Sequence, residues 1–342
     1  MLIAREDILR LEALLSASVR PCVVSHPRPD GDAAGAALAM ASYLQAKGKA
    51  PAVLLPDPLP VNLRFLEGAA DVLAFSENPD GVRAALSGCD LLLCLDFNCL
   101  SRLESLEPLV RACPAPRILI DHHLSPEREC FDLVFSETQV SSACELLYHI
   151  LKAMPSTGGD IARLPAACRT ALLTGMTTDT NNFANSVWPS TFAMASELIA
   201  SGVDRDFVLD RLYRDFKETR VRAMSEILLR EMEITPEGAA FFLIREELWQ
   251  RYGLGEGDLE GLVNIPLSIG KVRLSASVRE AADGEYRVSL RSKKGVSANR
   301  IARQWFHGGG HEQASGGKLL IGQDVPSREE VPAYVRKALS KL

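Results

Sequence analysis

The chain has 342 residues, 47% of them hydrophobic and 24% charged. That is long for one ordinary domain, right for two, and typical of a soluble chain that builds a core. A net charge of −6 argues against avid binding to long duplex nucleic acid, but it leaves an anionic substrate open, because bound cations reverse the local potential.

The opening MLIAREDILRLEALL mixes acidic with apolar residues and reads as an amphipathic helix rather than a signal peptide. No stretch reaches the ~20 apolar residues needed to cross a bilayer. The eight cysteines lie between Cys22 and Cys168 without a CxxC pair, the pattern of buried thiols in a reducing cytoplasm.

From there the chain alternates. Residues 21–26 (PCVVSH) read as a buried strand, followed by an Ala-rich helix. PAVLLP (51–56), DLLLCLD (90–96) and RILID (117–121) read as further strands, with helices near 141–153 and 165–176. Short apolar runs alternating with helices predict an α/β amino-terminal domain over 1–190, a parallel sheet with helices on both faces. Helical periodicity then marks 191–232 as a connector. AAFFLI, KVRLSASVR, YRVSLRS and KLLIG read as strands, with helices at SANRIARQWF and the carboxy terminus. They predict a smaller α+β domain over 233–342.

Ligands of parallel sheets sit beyond the carboxyl ends of the strands, and four polar clusters fall there. His26, Asp30 and Asp32 lie within seven residues after the first strand. Pro27 and Pro29 bar a helix, and Gly31 is expected to permit a sharp bend. Asp96 closes DLLLCLD. Asp121, His122 and His123 close RILID. Asp179 follows CRTALLTGM, where Gly175 is expected to break the helix and aim Asp179 outward. Each cluster has a plainer reading: a helix cap at Asp32, a turn cap at Asp96, a surface histidine pair, an Asp/Asn-rich turn. Together, His26, Asp30, Asp32, Asp96, His122 and Asp179 suffice for two divalent metals if one carboxylate bridges, the apparatus that phosphate-ester hydrolysis most needs. Mixed nitrogen and carboxylate ligands suit Mn²⁺, Fe²⁺ or Zn²⁺, with Mn²⁺ favoured where carboxylates dominate.

Towards the carboxy terminus, Gly308, Gly309 and Gly310 precede His311. Such a run lets backbone N–H groups approach an anion, and His311 adds a donor. Between 271 and 303, basic residues outnumber acidic ones nine to three. Arg291, at a strand end, is the expected bidentate phosphate ligand.

These motifs, in this order, resemble the DHH phosphoesterase family. His26 to Asp32 looks like its HxxxDxD motif, Asp96 its isolated second Asp, Asp121-His122-His123 the motif that names it, and Asp179 its fourth. GGGH at 308–311 resembles the hallmark of the DHH-associated domain. The resemblance implies one metal at His26 and Asp30, the other at Asp32, His122 and Asp179, with Asp96 bridging. It implies that His123 contacts the scissile phosphate and assists the leaving group. Two Mn²⁺ ions are expected, with Mg²⁺, Co²⁺ or Fe²⁺ as substitutes.

The compact form resembles the NrnA-type branch. It implies hydrolysis of very short RNA to mononucleotides and of 3′-phosphoadenosine 5′-phosphate to AMP, in the cytoplasm, with no membrane or long duplex DNA as partner. No oligomer surface is legible, and a homodimer stays open. The alternatives are a cyclic di-AMP phosphodiesterase and, outside enzymes, a nucleotide-binding sensor.

Overall fold

The computed structural model describes residues 3–255, 257–281 and 284–340. Two compact units meet between Asp215 and Phe216.

The first unit begins with α1 (Arg5–Ala17), which buries Ile8, Leu11 and Leu15 at helical spacing. The rest follows as β1 (Pro21–Val24), α2 (Gly31–Ala46), β2 (Ala52–Leu55), β3 (Leu73–Ala74), α3 (Pro79–Ser87), β4 (Leu91–Leu95), α4 (Glu107–Ala112), β5 (Arg117–Asp121), β6 (Leu133–Ser136), α5 (Ala143–Ala153), α6 (Ala166–Asp179), α7 (Pro189–Ala200) and α8 (Arg205–Tyr213). The six strands lie in the order β3-β2-β1-β4-β5-β6, and each neighbouring pair is parallel. Alternate side chains enter opposite cores. Val23, Leu93 and Ile120 pack with α2, α5 and α6, while Cys22, Leu92 and Leu119 meet α3 and α4. A sheet covered on both faces is what continuous apolar strands require, and the expected α/β class is observed. The strand order reverses between β1 and β4, where the crevice at the carboxyl ends of an open sheet opens.

The second unit comprises α9 (Glu218–Glu226), β7 (Glu233–Ile234), β8 (Ala239–Ile244), α10 (Glu246–Tyr252), β9 (Leu274–Glu280), β10 (Glu285–Ser292), α11 (Ala298–Trp305), β11 (Gly309–Gly310), β12 (Ala314–Leu320) and α12 (Val331–Leu339). Its sheet runs β11-β12-β10-β9-β8-β7, with β8 and β9 parallel and the other pairs antiparallel. Phe241 faces a core shared with α11 and α12, and Phe242 faces one shared with α9.

The stretch 191–232 divides between the units. Met194, Leu198, Val208 and Leu212 belong to the first core, whereas Ala223 and Ile227 belong to the second unit. Their apolar stripes are satisfied in different cores. Among the described residues no helix is long and apolar enough to cross a membrane.

Candidate metal centre

The ends of β1 and β4 are tied by Ser25, whose Oγ donates to the Leu95 carbonyl at 2.7 Å. The next residue, His26, has Nδ1 2.8 Å from the Pro27 carbonyl. That contact makes Nδ1 the donor and leaves Nε2 to face other groups. Nε2 lies 3.9 Å from Asp30 Oδ1 and 3.5 Å from Asp96 Oδ2.

Asp30, not Asp32, is the cap of α2. Its Oδ1 accepts from the Asp32 and Ala33 amides at 3.0 Å each, satisfying amides that the helix leaves orphaned. Asp32 sits inside the first turn, buried. Its carboxylate accepts from Ala143 N at 2.6 Å and Cys144 N at 2.9 Å, the first amides of α5. The plainer reading of this loop therefore applies to one aspartate and the ligand geometry to both.

Asp96 takes a left-handed backbone, φ 63°, at a cost of about 1–2 kcal/mol for most side chains and less for Asp. Its amide is pinned to the Ile120 carbonyl at 3.0 Å. Oδ1 lies 3.6 Å from His122 Nε2 and 3.8 Å from His123 Nδ1. This oxygen is buried and has no hydrogen-bond partner among the described residues. His122 Nε2 also lies 3.7 Å from Asp32 Oδ2 and 3.5 Å from Asp179 Oδ2. Asp121 is fully buried at the end of β5. It accepts from His123 N at 3.1 Å and from His123 Nδ1 at 2.7 Å, which orients that ring.

Two glycine expectations are corrected. Helix α6 runs unbroken through Gly175 to Asp179. A Cβ on Gly175 would lie 2.3 Å from Cys144 Sγ and 2.9 Å from Asp32 Oδ1. Gly31 is the first residue of α2, and its Cβ would lie 2.3 Å from Thr178 Oγ1. Both glycines serve close helix approach rather than a bend or a break. That approach carries Asp32 and Asp179 to the same histidine.

The centre is short of positive charge. Burial opposes protonation of His26, yet contact with Asp96 and Asp30 pushes its pKa up to about 9. For His122, burial is likewise outweighed by Asp96, Asp179 and Asp32, and the value rises to about 10. Burial, then Asp96 and Asp179, push Asp32 upward. For Asp96 burial acts upward, but the imidazoles of His122 and His26 facing it win and hold it low. Carboxylates crowded this closely need cations between them.

The residues fit a pair of metals. Asp96 belongs to three ligand groups, one with His26 and Asp30, one with Asp32 and His122, and one with Asp121 and His123; the first two need no residue already committed to orienting another ring. Two donor atoms on one cation, each about 2.1 Å from it, stand about 3–3.5 Å apart. The nitrogen–oxygen separations of 3.5–3.9 Å are close to that spacing and too long for hydrogen bonds. The partnerless Asp96 oxygen is the position an ion would satisfy.

In the second unit, the glycine run packs backbone on backbone. A Cβ on Gly308 would lie 1.9 Å from the Gly316 carbonyl oxygen, and one on Gly317 2.3 Å from that of Phe306. Gly309 and Gly310 form β11 beside Gly316 and Ser315. The amide of Gly308 donates to Ala302 O at 3.1 Å and that of His311 to Ala314 O at 2.8 Å, so two donors of the expected cradle are spent within the protein. Part of the basic excess is also engaged: Arg291 Nη1 donates to Leu290 O at 3.0 Å, and Arg279 lies 4.3 Å over the Trp249 ring.

Comparison with known proteins identifies the family. The profile described as DHH family, N-terminal domain, matches residues 20–176, and that of the DHHA1 domain matches 239–331. The bifunctional oligoribonuclease and PAP phosphatase NrnA of Thermus thermophilus is 30% identical over 93% of this chain and 90% of its own length. The chain belongs to the DHH family. The probable bifunctional oligoribonuclease and PAP phosphatase NrnA of Streptococcus mutans is 32% identical over 58% of this DHH chain, a match spanning 61% of that relative. The crystal structure of an exopolyphosphatase-related protein from Bacteroides fragilis superposes with a TM-score of 0.91 at 32% identity, covering 99% of this chain and 97% of that one.

Proposed function

We propose that this DHH protein is a two-metal phosphoesterase that hydrolyses very short oligoribonucleotides to mononucleotides and 3′-phosphoadenosine 5′-phosphate to AMP. The relatives named for both activities, one of them matched along most of its length, support this substrate class. The observation that carries the reading is the buried, partnerless Asp96 oxygen between two histidine–carboxylate groups.

In this reading His26 and Asp30 hold one ion, Asp32, His122 and Asp179 the other, and Asp96 both. The donor set favours Mn²⁺, with Mg²⁺, Co²⁺ or Fe²⁺ as substitutes. When bound, such a pair lowers the pKa of water and neutralises charge on a phosphoryl group. The chain's own residues do the rest. Pro27 fixes the His26 tautomer through its carbonyl. Asp121 holds the His123 ring by Nδ1, so that Nε2 is the atom that meets the phosphate and passes a proton to the leaving oxygen. In the DHHA1 domain, the side chains of Arg291 and His311 hold a second phosphate beside Gly308–Gly310. The free thiols of all eight cysteines support a reducing, cytoplasmic setting.

The test is a substrate panel of pApA, longer oligonucleotides, 3′-phosphoadenosine 5′-phosphate and cyclic di-AMP, each with Mn²⁺ and with chelator. Fast, chelator-sensitive turnover of pApA and 3′-phosphoadenosine 5′-phosphate is expected. Preference for cyclic di-AMP, or binding without turnover, overturns the reading.

A further inference from the structure

Both oxygens of Asp32 rest on the first turn of α5, at Ala143 N and Cys144 N. What holds that turn is a second buried acid. Glu145 is fully buried. Its Oε2 accepts from Ser141 N at 2.9 Å, Ser141 Oγ at 2.5 Å and Thr191 Oγ1 at 2.7 Å. Its own amide donates to the cap residue Ser142 at 2.9 Å. Thr191, in the first turn of α7, also accepts from Trp188 N at 3.0 Å. The amides of residues 141, 143, 144 and 145 thus all end on two carboxylates and one hydroxyl.

We propose that Glu145 is a positioning residue for Asp32: it locks the turn whose amides aim that carboxylate into the metal centre. This rests on the metal-centre reading. A buried carboxylate costs several kcal/mol in lost hydration, and apolar packing would hold two helices together at lower cost. What packing does not do is fix the direction of individual N–H groups. Three hydrogen bonds to one carboxylate oxygen, from α5's leading residue and from α7, do so. His149 Nε2 stands 3.6 Å from the other oxygen, beyond hydrogen-bond reach. Groups that orient a metal ligand without touching the metal typically govern affinity by about 10–100-fold.

The experiment is calorimetric titration of the full chain with Mn²⁺, beside steady-state kinetics and thermal melting without metal. Glu145→Gln keeps the shape and removes the charge; Thr191→Val removes a single hydrogen bond. The wild type should take up two ions. In Glu145→Gln one of them should weaken by about 10–100-fold, with the half-saturating Mn²⁺ concentration rising in parallel. KM for substrate and the kcat reached at saturating Mn²⁺ should stay close to wild type. Thr191→Val should shift affinity in the same direction by less. A lowered Tm with unchanged Mn²⁺ affinity would make Glu145 merely structural and overturn the inference. If Glu145→Gln does not fold, unchanged affinity in Thr191→Val overturns it alone. A wild-type chain that takes up no cation overturns the metal-centre reading as well, so the two failures are distinguishable.

Discussion

Single side chains divide into those that hold charge and those that aim it. Asp96 offers oxygens to both histidine groups, so Asp96→Asn should lose more than the about 100-fold seen when only a supporting group is removed. Its Mn²⁺ stoichiometry should fall as well, and titration calorimetry with activity checks both. His123→Ala should behave differently. Its ring is oriented by Asp121 in a proton-transfer role, so kcat should drop about 100- to 10,000-fold while two ions still bind. Glu145 gives a pH signature. Burial pushes its pKa up, but the nearby His149 imidazole and the hydrogen bonds from Ser141 win, and it sits at about 2 against an ordinary 4.5. A depressed carboxyl stabilises the fold fully above the unfolded value and loses that contribution as pH falls through the folded one. The Tm gap between wild type and Glu145→Gln should therefore be widest near neutral pH and close between about pH 4.5 and 2. A gap that grows on acidification would contradict this sign. The candidate ligand positions were legible because acids and histidines cluster just after apolar runs. Which aspartate caps α2 was not, because Asp30 and Asp32 are equally good caps by residue type, and only the place of α5 decides.

At the scale of elements, the site depends on how closely helices approach. Helix α6 crosses α2 where Gly31, Gly35 and Gly175 leave no side chain between them. Gly175→Ala improves intrinsic helix propensity by about 0.5–1 kcal/mol but drives a methyl group into Cys144 Sγ and Asp32. Overpacking of that kind costs about 1–3 kcal/mol, so sterics win. The urea midpoint should fall, and Mn²⁺ affinity with it, since Asp32 is one of the atoms displaced. Strands β1, β2, β4 and β5 were readable from apolar runs. The two-residue β3 and β11 were not, being too short to carry a period. The glycines of 308–310 read from sequence as an anion cradle; that Gly308 also presses on the Gly316 backbone depends on strand pairing that sequence does not display.

For the whole molecule, cation binding should stabilise the fold by mass action, by about 2.7 kcal/mol for each site at a hundredfold excess over its dissociation constant. Wild-type Tm should rise with added Mn²⁺ and Asp96→Asn should lose most of that rise, as scanning calorimetry can show. The 191–232 stretch is helical as its period predicts, with α7 and α8 joining the first unit's core and α9 the second's. Sequence alone determined the fold class, the family motifs and the candidate ligands, since apolar period and residue type at strand ends are local properties. Tertiary structure alone decided which carboxylate caps α2, that Glu145 accepts from Ser141 and Thr191, and that Gly31 and Gly175 stand where two helices approach. Each of those depends on a partner tens of residues away, and chain order carries no record of who that partner is.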